Sequence, residues 1–239
     1  MNYKTRGIIL KRTNLGEADR IITIFTDKFG KIKVVAKGVR KTLSRMAGHL
    51  EPFCLSRLEL AEGKSLDIIT GAQVEKCFLA LRSDLGKTQA SFYFTEIIDK
   101  MVEEREPHPE IYHLLDDTLE HINDIAGPLL KPYFEINFLS LMGMRPELYN
   151  CLHCNEKIVS KDNNFDFAHG GVVCEKCGTG IKISENAIKV LRLFLNHRFS
   201  RIKTIKMDKA LVAELNHLCS HYLKHFYQKD FKSERFLSI

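Results

Sequence analysis

Apolar residues recur with a period near two in the first third of the chain and with a helical period afterwards. Segments 4–12 (KTRGIILKR), 20–26 (RIITIFT), 31–37 (KIKVVAK), 53–61 (FCLSRLELA) and 66–74 (LDIITGAQV) are short and rich in Ile and Val. Asn14-Leu15-Gly16, Lys28-Phe29-Gly30 and Glu62-Gly63-Lys64 supply turns between them. Five short strands in so little chain predict a small β barrel. An OB-like barrel is the leading five-stranded candidate, with another small barrel or sandwich as the alternative. Beyond residue 80, Ala90, Tyr93, Phe94, Ile97, Ile98 and Met101 mark one face of a helix. After Pro107 and Pro109, a second helix is marked by Ile111, Leu114, Leu115, Thr118, Leu119, Ile122 and Ile125. Leu129–Met142 is apolar on most sides and predicts a buried helix. Ser184 is placed to cap a helix carrying Ile188, Leu191, Phe194 and Leu195. A last helix begins near Asp208, with Leu211, Leu215, Leu218, Cys219, Tyr222, Leu223 and Phe226 inward.

This pattern predicts an α+β, multidomain chain: a barrel over 1–80, a helical domain over 81–149 and 184–239, and a separate module over 150–183. The 239 residues, 44% of them hydrophobic, can bury a real core, which argues against wholesale disorder. The most apolar stretch, Pro132–Met144, is interrupted by Glu135 and Asn137 and is too short to span a bilayer. Met1-Asn2-Tyr3-Lys4 lacks the apolar run of an export signal, so a cytoplasmic location and no membrane partner are expected.

Charge divides the chain again. The formal balance is +7 over residues 1–80, −7 over 81–150 and +6 over 151–239. Two basic ends around an acidic middle suggest modules with separate partners.

Cys151-x2-Cys154 and Cys174-x2-Cys177 are separated by 19 residues, a spacing suited to paired zinc knuckles. Each knuckle turns two thiolates toward one ion, and two knuckles complete a closed tetrahedral shell, so the expected cofactor is structural Zn2+. An iron–sulfur cluster or four reduced cysteines are the alternatives. His153 and His169 read as bystanders, and Cys54, Cys77 and Cys219 as isolated packing residues.

Residues 28–45, KFGKIKVVAKGVRKTLSR, carry seven cations and no acid. Lys31, Lys33 and Lys37 alternate with apolar residues and are expected on one strand face. Arg40, Lys41, Thr42, Ser44 and Arg45 follow Gly38 in a loop whose chemistry suits phosphate oxygens. Lys31, Lys33, Lys37, Arg40, Lys41 and Arg45 are the candidate nucleic-acid contacts; a solvated basic loop is the plain alternative. Phe25, Phe29 and Phe53 are each either base-stacking or core residues.

In order along the chain stand Gly7-Ile8-Ile9-Leu10, Gly16-Glu17-Ala18-Asp19-Arg20, Phe25-Thr26, Gly30, Ala36-Lys37-Gly38-Val39-Arg40-Lys41, Ser44-Arg45 and Leu50-Glu51-Pro52-Phe53. This series, with the acidic helical middle and the four-cysteine module, resembles the bacterial recombination-mediator RecO family. The resemblance implies an N-terminal OB fold and a helical domain with an inserted zinc module. It also implies binding to single- and double-stranded DNA, annealing of complementary strands, and help in loading recombinase onto DNA coated by single-strand-binding protein. The implied partners are RecR and the acidic C-terminal tail of single-strand-binding protein, in a nucleoid-associated setting. Family DNA contact carries over to Lys37, Arg40, Lys41 and Arg45. Arg82, Lys87 and Arg145 are weaker candidates for an acidic partner.

No G-x-x-x-x-G-K-[ST] phosphate loop occurs, and no serine–histidine–acid arrangement can be defended. Asp116 and Asp117 are adjacent on a predicted helix, so they cannot converge on one site and read as a solvated face. Catalysis and a small-molecule substrate are not expected. An RNA-binding or translation-associated barrel protein, or a scaffold that binds no DNA, are the competing readings.

Overall fold

A computed structural model describes residues 2–78, 84–122, 127–159, 162–178, 180–202, 205 and 207–236; Arg82 and Ile125 lie outside them. Strands β1 (Asn2–Leu15), β2 (Asp19–Thr26), β3 (Gly30–Ala36), β4 (Cys54–Ala61) and β5 (Asp67–Cys77) form over the five predicted segments. Their order is β1-β2-β3-β5-β4, and the long β1 pairs antiparallel with both β2 and β4. This is the five-stranded OB-type arrangement. Its closure is thin, because β3 and β5 meet in parallel only at Val34–Asp67 and Val35–Ile68.

The rest of the β3 edge is taken by the chain that leaves α1 (Leu85–Met101). Glu104 bridges to Lys31, and the Arg105 amide donates to the Lys31 carbonyl at 2.8 Å. A strand edge left open would be a template for intermolecular pairing, and this segment covers it. Gly30 begins β3 with φ 64° beneath the Glu106 carbonyl, where an added Cβ would stand 2.0 Å from the oxygen. Only glycine fits that crossing.

Inside the barrel lie Ile9, Ile22, Ile24, Ile32, Val34, Leu58, Leu60 and Ile69. Strand β2 buries its other face too: Thr23 and Phe25 are covered, and Phe25 lies 6.1 Å from Tyr112 of α2 (Pro109–His121). Phe53 is also buried, against Phe92 of α1 at 4.8 Å, so Phe25 and Phe53 are both core.

The compact units therefore differ from the predicted domains. One comprises Met1–Glu120 with Phe231–Ser238, the other His121–Asp230. Helices α1 and α2 belong with the barrel because its outer surface is apolar where they lie. The chain's end returns to the same unit: Phe231 is fully buried, 5.7 Å from Tyr93, and Glu96 accepts from the amides of Lys232 and Ser233.

The second unit contains α3 (Gly127–Leu141), a three-stranded sheet of β6 (Asn163–Asp166), β7 (Gly171–Val173) and β8 (Ile181–Ile183), then α4 (Glu185–Asn196), α5 (Phe199–Ile202) and α6 (Lys209–Tyr227). Ser184 and Asp208 cap α4 and α6 by accepting from the Ala187 and Leu211 amides. Pro132 inside α3 has no N–H for the carbonyl of Pro128. The Asn216 side-chain amide donates to that carbonyl instead, at 3.3 Å. Glu135, fully buried on α3, accepts from the Ser220 hydroxyl at 3.1 Å and faces Lys131 at 3.6 Å. The acid that interrupts an apolar stretch thus has a partnered place inside the unit. No described helix is long and apolar enough to cross a membrane.

Candidate nucleic-acid interface and metal centre

Cations on the barrel fall into two groups. Most of those on strands face carboxylates: Lys4 meets Glu59, Arg6 and Arg57 share Glu75, Lys11 meets Asp99, Arg12 meets Glu51, Lys33 meets Glu104 and Lys76 meets Glu120, while Arg20 donates to the Asn14 side-chain carbonyl. Among the described residues no carboxylate pairs with Lys37, Arg40, Lys41 or Arg45.

The segment after β3 is fixed, not slack. Gly38 turns the chain with φ 65°, and its amide donates to Asp19 Oδ1 at 2.7 Å. The Arg40 amide donates to Ala18 O at 2.9 Å, and its guanidinium donates to Gly16 O at 2.8 Å. Two further turns follow, with Lys41 N donating to Gly38 O and Ser44 N to Lys41 O. The loop is thereby tied to the β1–β2 turn, with Lys37, Arg40, Lys41 and Arg45 exposed.

Lys31 requires a correction. Strand alternation alone places it with Lys33 and Lys37 on an open face, yet it is only 5% exposed. The segment after α1 covers it, and its ammonium donates to the Asp99 carbonyl. Burial draws its pKa down, opposed by Asp99 and Glu104. Lys33 is exposed but paired. Phe29 is partly exposed, its ring 4.9 Å from Tyr3.

Cys151, Cys154, Cys174 and Cys177 converge, their sulfurs all within 4.8 Å of one another. Metal–sulfur bonds of about 2.3 Å in a tetrahedron put sulfurs about 3.8 Å apart. Cys154 and Cys174 sulfurs are 3.8 Å apart, so four thiolates can close on one ion with little movement. The two knuckles are built alike. Asn155 and Gly178, each four residues after the first cysteine of its pair, have φ 59° and 26°, and their amides donate to Cys151 O and Cys174 O. Burial alone would raise the Cys151 pKa, but amides of Cys154, Cys174 and His153 directed at its sulfur bring it to about 6. The module leans on α6 through Phe165 and Tyr222, ring centroids 5.2 Å apart.

His153 and His169 stand outside the thiolate group; His169 is 2.7 Å from Asp166 Oδ2. Cys219 is buried, and burial pushes its thiol pKa well up, as befits a packing residue. Cys54 and Cys77 are not isolated: they are register partners on β4 and β5 and are joined in a disulfide. Sequence distance hid a neighbour that only strand register creates. Asp116 is half-buried beside Lys76 rather than solvated, and desolvation raises its pKa.

A cavity of about 150 Å³ in the second unit was not foreseen. It is lined by Arg145, Leu148, Tyr149, Arg192, Leu195 and Asn196, with Pro146 and Glu147. The Arg192 guanidinium lies 4.5 Å over the Tyr149 ring. Lys87, the other described candidate for an acidic partner, is engaged with Asp84 at 3.6 Å.

Two family models match the chain: Recombination protein O N terminal over residues 1–78, and Recombination protein O C terminal over residues 82–235. The chain is 40% identical to the DNA repair protein RecO of Dehalococcoides mccartyi over 218 residues, covering 90% of this chain and 86% of that protein. It is 31% identical to the DNA repair protein RecO of Desulforamulus reducens, covering 98% and 93%. With the DNA repair protein RecO of Bacillus pumilus identity is 30%, covering 100% and 94%.

Proposed function

The chain belongs to the RecO family of DNA repair proteins, and on that premise we propose that it is a recombination mediator of the RecF pathway. It binds single- and double-stranded DNA, anneals complementary strands, and assists recombinase loading onto DNA coated by single-strand-binding protein. The observation that carries this reading is the fixed loop whose cations lack carboxylate partners among the described residues, on a barrel most of whose strand cations are paired.

The chemistry is electrostatic. Two DNA strands repel through their phosphates. Lys37, Arg40, Lys41 and Arg45 displace counterions from the backbone and leave sequence reading to base pairing. No bond is made or broken, so no catalytic residue is assigned. The four cysteines hold one zinc ion, whose role is to stabilise their module: four thiolates leave no open coordination position. The cavity between Arg145 and Arg192 is proposed as the dock for the acidic tail of single-strand-binding protein. Two guanidinium groups beside Leu148, Leu195 and Tyr149 suit an acidic segment ending in apolar side chains. RecR is proposed as a partner from family membership alone, as are a cytoplasmic, nucleoid-associated setting and non-enzymatic action.

Annealing of two complementary oligonucleotides tests the reading, measured at several salt concentrations with and without single-strand-binding protein. Native protein is expected to accelerate annealing, with affinity falling steeply as salt rises. Lys37→Glu/Arg40→Glu is expected to abolish that acceleration while melting as the native protein does. A folded, zinc-loaded native protein that does not anneal would refute the mediator reading. Equal binding to RNA would then favour the RNA-binding one.

A further inference from the structure

Leu43 is the most exposed large apolar residue among those described, at 93%. An exposed leucine alone signals nothing. This one stands at the third position of the turn Lys41-Thr42-Leu43-Ser44, closed by the Ser44 amide on Lys41 O at 2.9 Å. That turn follows directly on Gly38 and Arg40, which are anchored to Asp19, Ala18 and Gly16. The side chain is therefore held out in water on a rigid support, flanked in sequence by Arg40, Lys41 and Arg45, which no carboxylate among the described residues neutralises.

Those cations would draw a phosphate backbone across the loop. A polynucleotide held there brings its bases, the apolar surface that accompanies every phosphate chain, within reach of the turn. Apolar side chains beside basic ones insert between bases and open the stack in other DNA-binding proteins. We propose that Leu43 is a wedge that lies against a base of bound single-stranded DNA and unstacks it from its neighbour, so that the strand is presented for pairing. This rests on the DNA-binding reading of the same loop and adds to it a contact with bases. The contact carries no sequence preference, because every base has an apolar face.

The chain contains no tryptophan, so Leu43→Trp creates a single fluorescent reporter at the turn. The full-length, zinc-loaded variant is titrated with single-stranded DNA and, separately, with heparin, a polyanion without bases. The expected result is a clear change in tryptophan emission with DNA and none with heparin at equal saturation. In parallel, Leu43→Ala is expected to weaken single-strand binding roughly five- to tenfold. Its slope of log affinity against log salt stays native, since no phosphate contact is lost. A strand containing 2-aminopurine should brighten on binding native protein and less so on binding Leu43→Ala.

Unchanged tryptophan emission with DNA fully bound would overturn the wedge and leave the basic loop's role standing. Native-like DNA binding by Lys41→Glu/Arg45→Glu would instead remove the loop from the interface, and the DNA-binding reading of this face with it. A Leu43→Ala variant that loses only self-association in sedimentation would show that the leucine meets a second copy of the chain, also overturning the proposal. Because Lys41, Leu43 and Arg45 are all exposed, none of these variants is expected to alter the fold.

Discussion

The barrel and the cysteine module are both small β structures, but they answer differently to the problem of having few residues. The barrel closes five strands over isoleucines, valines and leucines and covers its outer face with α1 and α2. Apolar burial at about 25 cal/mol per Å² supplies its stability. The module has three strands of three or four residues, Phe165 and Val172 as its buried centre, and four thiolates facing one another. Four thiolates so close repel one another, and a dication would turn that repulsion into attraction. A core can hold a fold in any ionic setting; a thiolate cluster does so only while its ion is bound.

The comparison breaks most visibly on metal removal. Chelating zinc, or Cys174→Ser, is expected to open residues 150–183 to proteolysis while the barrel persists. Structural zinc sites of this kind contribute on the order of 10 kcal/mol. Limited proteolysis with metal analysis checks it, and a module that stays intact without metal would sink the claim.

Each unit also contains a buried acid, and these sharpen the contrast. Glu135→Ala leaves Lys131 and Ser220 facing each other without the carboxylate and is expected to destabilise the second unit by about 3–5 kcal/mol. Denaturant unfolding measures it. Asp67 sits where β5 meets β3 and accepts from Tyr3 at 2.6 Å and Arg105 at 3.1 Å. Burial alone would raise its pKa, but Tyr3, the Gly63 amide and Arg105 together lower it. A carboxylate depressed in the folded state stabilises above its unfolded pKa of about 3.9 and loses that stabilisation as pH falls through the folded value. Barrel stability is thus expected to decline below about pH 4, and Asp67→Asn to flatten that decline while lowering stability at neutral pH by about 2 kcal/mol. Thermal melts across pH, native against variant, decide it.

The smallest effect on stability is expected at the basic loop. Lys41→Ala should change unfolding free energy by less than about 0.5 kcal/mol. It should reduce the salt slope of single-strand binding by about 0.7. Lys4→Ala, which removes a strand cation already paired with Glu59, should barely move that slope.

Local signals were legible from the residues alone. Alternation located five strands, 3.6-residue periodicity located the five longer helices, and the capping role of Ser184 follows from a side chain that reaches only three residues ahead. The C-x2-C spacing identified the thiolate group because a knuckle is itself local geometry. Tertiary structure alone decided which barrel cations are neutralised, since Glu104 reaches Lys33 and Glu75 reaches Arg6 from distant parts of the chain. It also decided the covering of Lys31, the pairing of Cys54 with Cys77 and the return of Phe231 to Tyr93. Periodicity states which face of an element is apolar, not what will be laid upon it. Strand register, the course of the chain after α1 and the path of residues 231–236 are settled only when separate elements bury one another's surfaces.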